Sequence, residues 1–143
     1  MNDKTVDRAH WSFWAIGAVA LIWNVMGGIN FFMQMNADML AAYSVTERAV
    51  IEGRPAWATS AFAIAVFGGA FGCLLLLLRK SAAYYMFIAS LLGVIVTHIH
   101  TLNVFRSAVK FGHAEIVAIL MTLVVAAFLI WYSMLAKSKG WVS

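Results

Sequence analysis

The chain has 143 residues, 64% of them hydrophobic and 11% charged, against roughly 25% charged and 45–50% apolar in an ordinary soluble domain. One small core has no room for so much apolar surface, so the composition excludes a water-soluble globular domain and makes lipid the solvent. The net charge of +4 is no nucleic-acid signature, because the basic residues fall at the ends of apolar runs, where lipid headgroups lie.

Residues 1–10 are polar and mixed in charge. The apolar run that follows reaches about residue 35 and exceeds the roughly 20 residues that a spanning helix needs. No small-residue cleavage signature follows it, so it reads as an uncleaved first transmembrane helix and not as a signal peptide. Asn24, Gly27, Gly28, Asn30 and Gln34 occupy one broad side of this span.

Residues 36–55 form the one sizeable connection. Ser44-Val45-Thr46-Glu47 matches the capping box, in which a serine side chain and a glutamate side chain each take a backbone N–H at the helix start. Gly53 suits a left-handed cap, and Pro55, the single proline, suits the start of the next span. Met39, Leu40, Tyr43, Val50 and Ile51 add apolar surface. The segment therefore reads as one or two short interfacial helices, either a plain connector or a lid over an outward-facing pocket.

The second span covers about residues 56–78. Ala61, Ala65, Gly69 and Cys73 recur every four residues, and Gly68 and Gly72 form a GxxxG pair beside them. Small residues mark faces where helices approach closely in lipid. Arg79-Lys80 leaves a very tight turn. The third span covers about residues 82–105, with Ser90, Gly93, Thr97 and His100 on one face. A short loop from Arg106 to Ala114 leads to the fourth span, about residues 115–136. Ala118, Thr122, Ala126, Leu129 and Ser133 make its small-residue stripe. Trp11, Trp14, Trp57, Trp131, Tyr132 and Trp141 suit interfacial belts. The lone Cys73 permits no internal disulfide.

Connections this short force antiparallel neighbours, so the expected fold is an all-α, up-down-up-down bundle of four transmembrane helices in a single domain. Lys4, Arg8, Arg79, Lys80, Lys137 and Lys139 fall on one side, and Arg48, Arg54, Arg106 and Lys110 on the other. The positive-inside rule then puts both termini in the cytoplasm.

Polar groups from all four spans gather in the outer third. They are Asn30 and Gln34, Thr59 and Ser60, His98, His100 and Asn103, and His113 and Glu115. Intramembrane polar groups face the bundle interior or a water-filled cavity. Three readings compete. The residues form interhelical hydrogen bonds alone. Or they line an outward-open pocket for a small polar ligand, with Asn30, Gln34, His100, Asn103 and Glu115 as its partners. Or His98, His100 and His113 hold a metal or haem, with Met33, Met35 and Met39 as soft sulfur donors to copper. The third has a geometric weakness, since His98 and His100 lie about 200° apart around a helix, so at most one joins His113. No phosphate loop, nucleophile elbow or paired-cysteine motif is present, and His113 with Glu115 is too unspecific a pair to indicate an enzyme.

The stretch from Arg54-Pro55-Ala56-Trp57 through Gly68-Gly69 to Leu78-Arg79-Lys80, with Trp23-Asn24-Val25-Met26-Gly27 in the first span, resembles a group of small bacterial inner-membrane proteins. These have four predicted helices and the label of sugar transporter-like. The resemblance implies a multi-pass protein of the bacterial inner membrane and carries over no functional residue. Against a transporter acting alone, the chain has no internal repeat and no proline or charge at any midplane. Transport would call for a homo-oligomer. The alternatives are an accessory subunit of a larger membrane complex or a ligand-binding sensor.

Overall fold

The computed structural model describes residues 9–108 and 112–143, without the side chains at 46 and 104–108. The charges of Lys4, Arg8, Arg106 and Lys110, four of the ten counted for orientation, lie outside the described residues and side chains. Among the described residues five α-helices run in the order α1 (Trp11–Met35), α2 (Val45–Glu52), α3 (Ala56–Leu77), α4 (Ala83–Ala108) and α5 (His113–Ser138), and one 3-10 turn, Met39–Ala42, precedes α2. Four of them, all but α2, are long and apolar enough to cross a membrane. The chain is thus compatible with a multi-pass membrane protein.

Local chemistry sets the ends of these helices. The ring of His10 accepts from the Ser12 N–H at the start of α1. The capping box of α2 forms as expected: Ser44 Oγ accepts from the Glu47 N–H at 3.2 Å, and Glu47 Oε2 accepts from the Ser44 N–H at 3.0 Å. Gly53 departs from expectation. It closes α2 at φ −82° and not in the left-handed region, its N–H reaching the carbonyls of Ala49 and Ile51. The Arg54-Pro55 pair explains this, because a residue before proline is pushed into extended backbone and ends the helix without a left-handed cap. The left-handed position falls instead at Arg79, φ 61°, in the turn between α3 and α4.

α3 is the central helix. Ala61, Ala65, Gly68, Gly69, Gly72 and Cys73 are all buried on it. It runs antiparallel to α1: Gly17 lies against Leu77, Asn24 against Gly69, Gly27 against Val66, and Phe31 against Phe62. It also runs antiparallel to α4: Gly72 lies against Phe87 and Gly68 against Ser90, and Gly93 lies against the backbone of Ala61 and Ala65. A Cβ at Gly93 would sit 2.6 Å from the Ala61 carbonyl oxygen, so this crossing is backbone on backbone. Ser90 Oγ donates to the Ala65 carbonyl at 2.5 Å across it. The GxxxG pair is thus spent inside the chain.

α5 packs along α4, and His98 Nε2 lies 2.6 Å from Thr122 Oγ1 between them. α1 and α5 do not pack along their lengths. They meet at one end, where Phe13 stacks on Tyr132 and meets Trp141 edge-on. Tyr132 is therefore buried and not in an interfacial belt, while Trp11, Trp57 and Trp131 are exposed. Beneath them the last residues fold back on the α3–α4 turn. Ser143 N–H donates to the Arg79 carbonyl, Ser81 N–H donates to the Ser143 carbonyl, and Arg79 Nε donates to the Trp141 carbonyl at 2.6 Å.

The outward faces are apolar. Val19, Ile22, Met26 and Ile29 on α1, and Val117, Leu120, Val124 and Trp131 on α5, are all exposed. Such continuous apolar faces are foreign to a water-soluble monomer and natural in hydrocarbon.

Candidate functional site

Two adjoining cavities lie between the helices. The larger, about 400 Å³, is lined by all four long helices. Trp23, Met26, Phe62, Val94, Phe87 and Leu129 make most of its wall apolar. The second, about 290 Å³, lies toward the end where α2 crosses, under Val50 and Ile51, and is lined by Gln34, Tyr43, Glu47, Arg54 and Glu115. Asn30, Thr97, His98 and Thr122 border both. The cavities thus make one cleft with an apolar chamber, a polar neck and a charged vestibule.

Why the cleft lies here follows from the helix faces. Ser90, Gly93, Thr97 and His100 are buried on α4, and at Gly93 the α3 backbone comes into direct contact with that face, while Ser90 and Thr97 at its edge still line the larger cavity. The open space lies between that edge and the adjacent face, where Phe87, Val94 and His98 stand at spacings of seven and four. It persists because α1 and α5 do not close over it.

The neck is held by local bonds. Thr97 Oγ1 donates to the Gly93 carbonyl at 2.7 Å, and Thr122 Oγ1 to that of Ile119 at 2.9 Å. Threonine hydroxyls bonded to their own helix can still accept from a ligand. Asn30 Oδ1 accepts from the Tyr43 hydroxyl, which ties the connection after α1 back onto that helix.

The vestibule centres on Arg54. Its Nη1 donates to Gln34 Oε1 at 2.9 Å, and its guanidinium lies 5.0 Å from the centre of the Phe62 ring. It makes no ion pair among the described residues, and its Nε is buried without an acceptor. Burial pushes the Arg54 pKa down from its ordinary value, as expected when a charge loses water without gaining an anion. The two carboxylates in the wall are turned elsewhere. Glu47 is held in the capping box of α2. The Glu115 carboxylate folds back over Gly112, 2.3 Å from where a Cβ there would stand, at the positive end of α5. Burial, and then the charge of Glu47, push the Tyr43 pKa up.

Of the residues named from sequence, Asn30, Gln34 and Glu115 line the vestibule, and His98 lines both cavities. His100 does not face this cleft. It is buried against α3, edge-on to Trp57 at 5.8 Å between ring centres, and its Nε2 has no hydrogen-bond partner. Asn103 and His113 are exposed. His98, His100 and His113 do not converge: among the described residues no three of His, Cys, Asp and Glu gather as metal ligands. The two-residue spacing sends His98 toward α5 and His100 toward α3. Sequence reasoning missed Arg54, Tyr43 and Thr97 as site residues. Arg54 had passed for a headgroup charge, and the signal for it was its position directly before Pro55, which ties it to the mouth of α3.

Compared with known protein families, curated proteins and solved structures, the chain matches none, so the functional reading rests on this geometry.

Proposed function

We propose that the chain is a multi-pass protein of the bacterial inner membrane, an up-down four-helix bundle that binds a small molecule in the cleft between its helices. Both termini lie in the cytoplasm, and α2 lies over the outward end as a lid. One observation carries the binding reading. The apolar chamber and the polar vestibule share the Asn30, Thr97, His98 and Thr122 neck, so polar groups costly in a membrane face a cavity. A few convergent polar groups in a mostly apolar pocket are the usual makeup of a ligand site. Alternating access in one copy is disfavoured by the absence of a repeat, so transport calls for a homo-oligomer.

Native mass spectrometry of the purified protein in detergent tests it. The wild type should retain a small molecule, and Ala126→Phe, which fills the chamber, should lose it while keeping its helicity. Equal retention by both would place binding outside the cleft. A second reading, an accessory subunit, is favoured by the exposed apolar face of α5, the span with the least of its apolar stretch buried, 11% against 39% for α3. Cross-linking in native membranes that captures a different protein along α5 would support it.

A further inference from the structure

We propose that the ligand of this cleft is a single-chain amphiphile with a carboxylate head, its head on Arg54 and its apolar chain in the chamber, entering from the bilayer between α1 and α5. This rests on the small-molecule reading above and narrows it to a chemical class.

The head group follows from Arg54. A guanidinium stays charged at any working pH and offers five donors in a planar fork. Here it makes one side-chain hydrogen bond, to the neutral Gln34 amide, and its Nε is buried without an acceptor. Arg54 is half-buried, and a charge drawn out of water is ordinarily paired. Glu47 and Glu115 stand in the same wall, yet both carboxylates are turned to the starts of their own helices. Arg48 on α2 donates to the Tyr43 carbonyl and lies outside both cavities. Among the described residues the Lys or Arg side chain facing the cleft is therefore Arg54, and the partner that matches its fork is a carboxylate, which takes it in two parallel hydrogen bonds. Gln34 and the Tyr43 hydroxyl beside it supply further polar contact.

The tail follows from the chamber. Its walls are Trp23, Met26, Phe62, Val94 and Leu129, and its volume of about 400 Å³ falls within the usual 300–1,000 Å³ of ligand sites. A small hydrophilic solute such as a sugar would leave those walls unmatched. The route follows from the packing. α1 packs on α3, α3 on α4, and α4 on α5, whereas α1 and α5 do not pack along their lengths. Met26 lines the chamber and is 62% exposed, so the wall at this seam is continuous with the lipid-facing surface of α1. A molecule already dissolved in the bilayer reaches the chamber without crossing water.

The test uses the full chain in nanodiscs of phosphatidylcholine and a long-chain fatty acid bearing a photoreactive diazirine on its chain. The label should map to the chamber-lining residues Trp23 and Gly27 of α1 and Thr122, Val125, Ala126 and Leu129 of α5. Unlabelled fatty acid should compete. The alcohol of the same chain length should compete about tenfold to a hundredfold less well, which is the range for losing hydrogen bonds to a charged group. Acetate should not compete. Arg54→Gln should weaken the fatty acid by a similar factor and leave the alcohol unchanged, and Arg54→Lys, which keeps the charge without the fork, should fall between. Ala126→Phe should abolish labelling; Ala126→Leu is the milder variant should the first fail to fold by circular dichroism. Equal competition by acid and alcohol, or indifference to Arg54→Gln, overturns the carboxylate head. Labelling confined to lipid-facing positions such as Val117 and Val124 overturns the cleft as the site. A retained polar solute without a chain, lost in Ala126→Phe, would overturn the amphiphile and leave the small-molecule reading standing.

Discussion

Two glycines on the α3–α4 interface, Gly93 and Gly68, are equivalent by residue type and opposite by geometry. A Cβ at Gly93 would stand 2.6 Å from the Ala61 carbonyl oxygen and 2.7 Å from the Ala65 nitrogen, both backbone atoms. A Cβ at Gly68 would find nothing nearer than 3.6 Å, an ordinary contact. Gly93→Ala therefore forces the two helices apart. Overpacking of this kind costs about 1–3 kcal/mol, and separation also loosens the Ser90 to Ala65 bond, at about 0.6 kcal/mol for a hydrogen bond within a membrane. Alanine recovers up to about 1 kcal/mol over glycine in helix propensity. The net expected loss is about 1.5 kcal/mol. Gly68→Ala gains the same propensity without a clash and should be neutral or slightly stabilising. Equilibrium unfolding in mixed micelles, driven by sodium dodecyl sulfate and followed by far-ultraviolet circular dichroism, measures both. A Gly68→Ala loss equal to or larger than that of Gly93→Ala would refute the packing described here.

Three further outcomes are expected. The Tyr43 phenol, whose pKa burial and Glu47 raise above 10.0, keeps its proton and its bond to Asn30 into alkaline solution; the stability it contributes is full below pH 10 and is lost as pH rises through the raised pKa. The difference in phenolate absorbance between wild type and Tyr43→Phe should have its midpoint above 10, and a midpoint at or below 10 would count against the tie. Ser44→Ala removes the capping box of α2 and should cost about 1 kcal/mol locally, read as faster hydrogen exchange at Thr46 to Arg48 with α3 and α4 unaffected; exchange changes spread over α3 would mean that α2 is no separate lid. Thr122→Val deletes the hydroxyl 2.6 Å from His98 and should cost about 0.6 kcal/mol in the same micellar unfolding experiment, while a loss above about 2 kcal/mol would mean that His98 holds α5 by more than this bond.

The capping box at Ser44 and Glu47 was readable in the sequence because both partners lie within one turn. The burial of Ala61, Ala65, Gly68, Gly69 and Gly72 was readable because lipid-embedded helices meet through small residues. His100 was misjudged for an equally physical reason. Its face of α4 was correctly seen as interior, but an interior face either packs or lines a cavity, and spacing does not separate the two. Gly93 brought the α3 backbone onto that face and His100 packs there against Trp57, while Ser90 and Thr97 on the same stripe and His98 beside it line the cavity.

Composition and hydropathy by themselves determined that this chain is helical and has four segments fit to span a bilayer, because an apolar run in hydrocarbon must satisfy its backbone internally. Residue spacing determined which face of each helix is small. Only the tertiary structure decided that α1 and α5 remain apart while the other neighbours close, because that depends on how α3 and α4 seat against each other. The cleft, the isolation of Arg54 within it, and the bonding of Trp141 and Ser143 to the Arg79 turn all follow from that arrangement, and each joins residues too distant in the chain for any periodicity to connect.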